Sequence, residues 1–89
     1  MRTIRDENLY KKNIEALKVD WKRLDEALLG VQMALSNAPE LFPLVPGTGN
    51  PGLRRLKLVG FPGVPPLSIF FTFTDEEVHL HAAEIIVED

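Results

Sequence analysis

Cysteine is absent from the 89 residues. That removes disulfides, thiolate nucleophiles and thiolate metal ligands, and it fits a reducing cytoplasm. No apolar run approaches the roughly 20 residues that cross a bilayer. The opening Met-Arg-Thr-Ile-Arg-Asp-Glu lacks the apolar block of a secretory signal, so neither a membrane partner nor a cleaved leader is expected. Positive charge is also in short supply. A net charge of -3 argues against a generic nucleic-acid binder, whose usual footprint is a basic domain.

The shortage is uneven. Residues 1–45 carry seven basic side chains against seven acids. Residues 46–89 carry three, Arg54, Arg55 and Lys57, against six: Asp75, Glu76, Glu77, Glu84, Glu88 and Asp89. Any phosphate-binding role must therefore rest on the cluster at 54–57, against the background field. The rest of the composition, 45% hydrophobic and 26% charged, is that of one globular domain spanning residues 1–89.

The chain changes character at residues 46–59, Pro-Gly-Thr-Gly-Asn-Pro-Gly-Leu-Arg-Arg-Leu-Lys-Leu-Val. Before it the apolar residues recur at helical spacing, and after it they alternate or cluster as in strands. Residues 2–5 read as a brief edge strand. Asp6 is the expected N-cap of a helix reaching about Leu17, with Tyr10, Ile14 and Leu17 on one face. A break at Lys18-Val19-Asp20 starts a second helix capped by Asp20. Its stripe is Trp21, Leu24, Leu28, Val31 and Leu35, widened by Ala27, Met33 and Ala34. A single helix over 6–37 is the alternative, since no proline or glycine parts the two, but it would be long for so small a domain. Gly30 costs about 1 kcal/mol against alanine, which suggests close packing there. Asn37-Ala38-Pro39 ends the helix.

Residues 39–52, with four prolines and three glycines, form an irregular crossing that Leu41, Phe42, Leu44 and Val45 can pin to the core. Strands are expected at 53–59, 67–73 and 78–87, the last two joined by the tight turn Thr74-Asp75-Glu76-Glu77. The expected fold is α+β: an N-terminal helical hairpin on one face of a small twisted antiparallel sheet, in the order β-α-α-β-β-β. Period-two alternation sends Leu56, Leu58, Leu67, Ile69, Phe71, Phe73, Val78, Leu80 and Ala82 toward the helices. It leaves Arg55, Lys57, Ser68, Phe70, Thr72, His79, His81 and Ala83 on the open face, with Arg54 on the other side or at the edge.

Each candidate has a functional and a plain interpretation. Arg55 and Lys57, about 7 Å apart along a strand, can grip a phosphodiester or an acidic protein segment, or simply decorate a solvated strand. His79 and His81 at i, i+2 can exchange protons in RNA cleavage, or occupy polar positions on an exposed sheet. They lack an obvious third ligand beyond Glu77 or Glu84, so no metal is assigned. Phe70 can stack a base or be covered by a partner chain. Pro-Gly-Thr-Gly is followed neither by a helix nor by Gly-Lys-Ser/Thr, so no nucleotide loop and no cofactor are expected.

The short first strand, Asn8-Leu-Tyr-Lys-Lys leading a helical hairpin, Asn-Ala-Pro-Glu at 37–40, and Pro-Gly-Thr-Gly before Leu-Arg-Arg-Leu-Lys-Leu resemble the RelE/ParE superfamily of bacterial toxin–antitoxin toxins, closest to its RelE- and HigB-like branch. The resemblance implies a cytoplasmic toxin with a cognate antitoxin partner, and it leaves a homodimer open. In ribosome-dependent mRNA-cleaving members it implies basic side chains on the open sheet face that bind the RNA backbone and stabilise charge at the scissile phosphate. By position Arg55 and Lys57 match the basic pair on the second strand, with His79 or His81 available for proton transfer and Arg54, Ser68 and Phe70 as neighbouring substrate contacts. Ser68 stands where the third strand usually brings an arginine, and Glu84, Glu88 and Asp89 replace a basic or aromatic ending. The alternative is a non-catalytic protein-interaction module of the same fold, binding an antitoxin or, as in ParE-type members, gyrase.

Overall fold

The computed structural model describes residues 1–87; Glu88 and Asp89, in the acidic ending, lie outside the described residues. Strand β1 (Thr3–Asp6) leads into helices α1 (Asn8–Lys18) and α2 (Leu24–Asn37), a 3-10 turn at Pro39–Leu41, and then strands β2 (Arg54–Leu58), β3 (Leu67–Phe73) and β4 (Glu77–Ile85). The strands form one sheet in the order β1-β4-β3-β2. The β2–β3 and β3–β4 pairs are antiparallel, whereas β1 returns to pair parallel with β4, so the sheet is mixed. The fold is α+β with both helices on one side of the sheet. No described helix is long and apolar enough to cross a membrane.

Between sheet and helices lies the core. Tyr10 and Ile14 of α1 and Leu24, Leu28, Val31 and Leu35 of α2 meet Leu56, Leu67, Ile69, Phe71, Val78 and Leu80. These are the helical stripes and the alternating strand positions that periodicity selects. Among the described residues, burial leaves one side-chain polar atom stranded. The Tyr10 hydroxyl has no hydrogen-bond partner, and desolvation, with a smaller push from Asp6, holds its pKa well above the ordinary tyrosine value.

The helical region is a hairpin, with two shifts from the expected ends. Asp6 stays in β1, opposite Leu80, and Glu7 takes the N-cap position of α1. Asp20 does not cap α2. The chain turns through 19–23, with the Trp21 amide on the Leu17 carbonyl at 3.0 Å and the Leu24 amide on the Trp21 carbonyl at 3.2 Å. Trp21 packs on the core from this turn. Met33 and Ala34 do not widen the buried stripe. They point to solvent, since Met33 sits about 200° around the helix from the buried Val31 at 3.6 residues per turn. Nor is Gly30 closely packed: a Cβ added there meets nothing within 4 Å.

One further correction concerns β4. Phe71 pairs with Leu80 but Phe70 pairs with Ala82, so His81 is an extra residue, a β-bulge. A bulge inverts the side parity of every later residue. Ala83 therefore enters the core at 4% exposure, while Ala82 joins the open face, the reverse of strict alternation. Beyond Leu80 the β1 edge diverges into α1, and the Asn13 side-chain oxygen accepts the Ala83 amide at 3.0 Å. At the other end, the Thr74 hydroxyl accepts the Glu76 and Glu77 amides and closes the β3–β4 turn.

The crossing between α2 and β2 is held mainly by Phe42, whose ring meets Phe71 edge-on at 6.1 Å. Leu41 and Leu44 are exposed and pin nothing. Residues 43–45 run along the outer edge of β2 like a short extra strand: the Arg55 amide donates to the Pro43 carbonyl at 3.0 Å, and the Val45 amide to the Leu53 carbonyl at 2.8 Å. The edge of β2 is thereby covered.

Candidate functional site on the open sheet face

The open face is best followed rung by rung across the sheet. Lys57 pairs with Ser68, and Ser68 with Glu84. Arg55 pairs with Phe70, and Phe70 with Ala82 beside the bulged His81. Thr72 pairs with His79, and His79 with Arg5 of β1. At about 4.8 Å between strands, Arg55 stands roughly 10 Å from His81 with Phe70 of β3 between them, and Lys57, two residues further along β2, lies beyond that rung, opposite Ser68 and Glu84.

The histidines form a unit. Their rings stack with centroids 6.4 Å apart and planes 21° from parallel. His79 Nδ1 donates to the Glu7 carboxylate at 3.0 Å, and its Nε2 lies 3.7 Å from Glu77. His81 Nε2 shares a 2.8 Å hydrogen bond with the Thr72 hydroxyl. His79 and His81 share this face by alternation, and the bulge at His81 then brings Ala82 onto it as well. The His79 hydrogen bond, supported by the fields of His79, His81 and Arg5, holds the Glu7 carboxyl below the ordinary carboxylate range despite an opposing desolvation effect. A carboxylate fixes the orientation and tautomer of one imidazole, and a hydroxyl engages the other. That arrangement suits general acid–base chemistry.

Around the histidines, carboxylates and cations alternate. Arg5 and Glu77 form an ion pair, so Glu77 is shared between Arg5 and His79. On β2, Lys57 is exposed and forms no ion pair among the described residues, whereas Arg55 is half-buried and donates Nε to the Ser68 hydroxyl at 2.8 Å. Ser68 faces this side, as alternation requires, but it is only 4% exposed beneath Arg55. It positions the guanidinium and does not present itself to a substrate. Phe70 is half-buried.

Arg54 is not part of this face. Its Nη1 donates to the Phe42 carbonyl at 2.6 Å and to the Glu40 carbonyl at 3.3 Å, and its guanidinium sits 5.4 Å from the centre of the Phe73 ring. The adjacent arginines thus divide the work. Arg54 clamps the crossing segment, and Arg55 looks onto the open surface.

That clamp builds a feature invisible to periodicity. Between residues 42–46 and the side chains of Arg55 and Lys57 lies a largely apolar cleft of about 480 Å³. Its wall comes from a stretch whose sequence signals only turns, and its cations come from the neighbouring strand. The Pro-Gly sequences at 46–52 were its one visible cue, since they mark where the chain must double back onto β2.

Among the described residues no group of three or more His, Asp or Glu side chains is placed to hold a metal ion. Compared with known proteins, the chain matches no family model and no curated relative.

Proposed function

We propose that the chain is the toxin-like component of a bacterial toxin–antitoxin pair, acting in the cytoplasm on RNA laid across the open sheet face. One observation carries the proposal: two hydrogen-bonded, stacked imidazoles share the open face with Arg55, which stands across the ring of Phe70, and with Lys57 two residues further along β2. One imidazole takes the proton of a ribose 2′-hydroxyl as its oxygen attacks the adjacent phosphorus. The other protonates the departing 5′-oxygen. Arg55, the nearer cation, offsets the charge that develops on the scissile phosphate, and Lys57 binds the RNA backbone beside it. The helical hairpin on a small twisted sheet is the architecture that the RelE/ParE resemblance implies, and it adds support. On this reading the partners are a cognate antitoxin and the ribosome with its mRNA.

Ser68 limits the rate. An arginine at its position would supply one more charge-stabilising donor, and losing such a donor typically costs a factor of about 10²–10³. Expression of the chain should therefore slow translation and growth modestly, and Arg55→Ala/Lys57→Ala should abolish the effect. Absence of toxicity, or toxicity that survives the double substitution, would refute the proposal.

A second reading is a non-catalytic protein-interaction module of the same fold, holding an antitoxin or a target such as gyrase. The acids on the same face favour it: Glu7, Glu77 and Glu84 stand among the cations and lower the local positive potential. It predicts stable association with a protein partner and no RNA turnover.

A further inference from the structure

The RNA proposal gives no task to the cleft at the edge of β2, although both of its cations belong to the proposed phosphate-binding pair. We infer that this cleft is a subsite for a nucleotide flanking the cleavage position, its phosphate on Lys57, the cation farther from the histidines, and its base against the apolar wall of residues 42–46. The inference rests on the RNA proposal and extends it.

Three features support it. The first is size and chemistry. A space of about 480 Å³, mostly apolar and with two cations on one side, matches an apolar flat group carrying an anion. The second is rigidity. The wall is fixed by the Arg54 bonds to the Phe42 and Glu40 carbonyls, by the Phe42–Phe71 contact, and by the pairing of residues 43–45 with β2. The site thus exists before a ligand arrives, which lowers the ordering cost of binding.

The third is its place along the path of a strand. From β4, where the histidines stand, to the cleft just past β2 is roughly 10–15 Å at about 4.8 Å per strand. At 3.4 Å or more per nucleotide that is at most about four steps. An RNA whose scissile phosphate lies at His79 and His81 and which crosses Phe70 must pass over Arg55 and reach the cleft with its next few nucleotides.

The wall also fixes the kind of recognition. Pro43 and Pro46 have no amide hydrogen, and the Val45 amide is already bonded to the Leu53 carbonyl. Few donors remain to read a base edge. Recognition there is by apolar contact, which every base can make. The subsite accepts purines and pyrimidines alike.

The test is binding of fluorescein-labelled hexanucleotides blocked against cleavage by 2′-deoxy sugars, with a deoxy dinucleotide as the short control. Oligo-U and oligo-A hexamers should bind the wild type with similar affinity. Leu44→Asp, at an exposed wall position, should weaken both hexamers by about tenfold, the lower end of what one stacked base contributes. It should leave the dinucleotide unchanged, and Leu44→Phe should restore hexamer binding. If the wild type binds hexamers but Leu44→Asp binds them equally well, the subsite is wrong while the RNA proposal stands. If the wild type binds no RNA at all, the RNA proposal falls and the subsite falls with it. Displacement of bound hexamer by an acidic, leucine-rich peptide whose own binding is lost in Leu44→Asp would assign the cleft to a protein partner and overturn the inference.

Discussion

Replacing Arg54 by alanine should destabilise the protein more than replacing its neighbour Arg55. Arg54 donates to two backbone carbonyls, at 2.6 and 3.3 Å, and lies 5.4 Å from the centre of the Phe73 ring. Hydrogen bonds from a charged group contribute about 1.5–3 kcal/mol, and a partly exposed cation–π contact about 0.5–1 kcal/mol. Because one side chain makes them all, they do not simply add, and a loss of about 2–3 kcal/mol is the reasonable sum. In a domain of this size each kcal/mol moves the melting temperature by about 4–8 °C, so Arg54→Ala should melt about 10–20 °C lower. Arg55→Ala loses one such bond, to the Ser68 hydroxyl, and should cost about 1.5 kcal/mol, the lower end of the range for a single bond from a partly exposed guanidinium. Urea unfolding of the three proteins, followed by tryptophan fluorescence from Trp21, measures the order directly. RNA binding by folded protein should show the reverse order, with Arg55→Ala the more damaged. Equal unfolding midpoints for Arg54→Ala and wild type, or a lower midpoint for Arg55→Ala, would refute the division of labour between the two arginines.

Other substitutions test separate parts of the structure. Gly30→Ala lies in a helix interior with open space around the new methyl group, and should raise stability by about 0.5–1 kcal/mol in the same urea assay. Tyr10→Phe removes a buried hydroxyl that has no partner while keeping the ring, and should leave stability unchanged or raise it by about 1 kcal/mol; a loss of that size would reveal a partner for the oxygen. Glu7 has its pKa lowered from 4.5 on folding, mainly by the His79 hydrogen bond. Its contribution is therefore fully present above pH 4.5 and disappears as pH falls through the lower folded value. Glu7→Gln should flatten that acid limb, seen as a smaller drop in the unfolding midpoint between pH 5 and pH 3 than in wild type.

Much of the architecture was legible because it is periodic. The stripe at Leu24, Leu28, Val31 and Leu35 and the alternation through Leu67, Ile69 and Phe71 each answer to one repeat, and burial enforces both. The hairpin break was legible from length, since one helix over 6–37 would be long for so small a domain, although Trp21 lies in the turn and not in α2. What escaped were features set by tertiary contact. The bulge at His81 follows from how β3 and β4 settle against each other, and it reversed Ala82 and Ala83 without any local signal. The N-caps moved because β1 holds Asp6 in its ladder and the turn at 19–23 is closed by backbone bonds. At the site, alternation placed Arg55, Lys57, Phe70, His79 and His81 on one face. It did not show that Ser68 is covered by Arg55, that Glu7 reaches back to His79, or that Arg54 serves the crossing segment, because those depend on pairs far apart in sequence.

The most direct test of the central claim is cleavage of ribosome-bound message by the purified protein, with products mapped by primer extension. The account predicts cuts by the wild type, a loss of at least about 10²-fold on removing either imidazole with His79→Ala or His81→Ala, and a comparable loss in Arg55→Ala/Lys57→Ala. Intact message under these conditions, from protein that is folded and binds a partner protein stably, would contradict it and leave the sheet face as a binding surface alone.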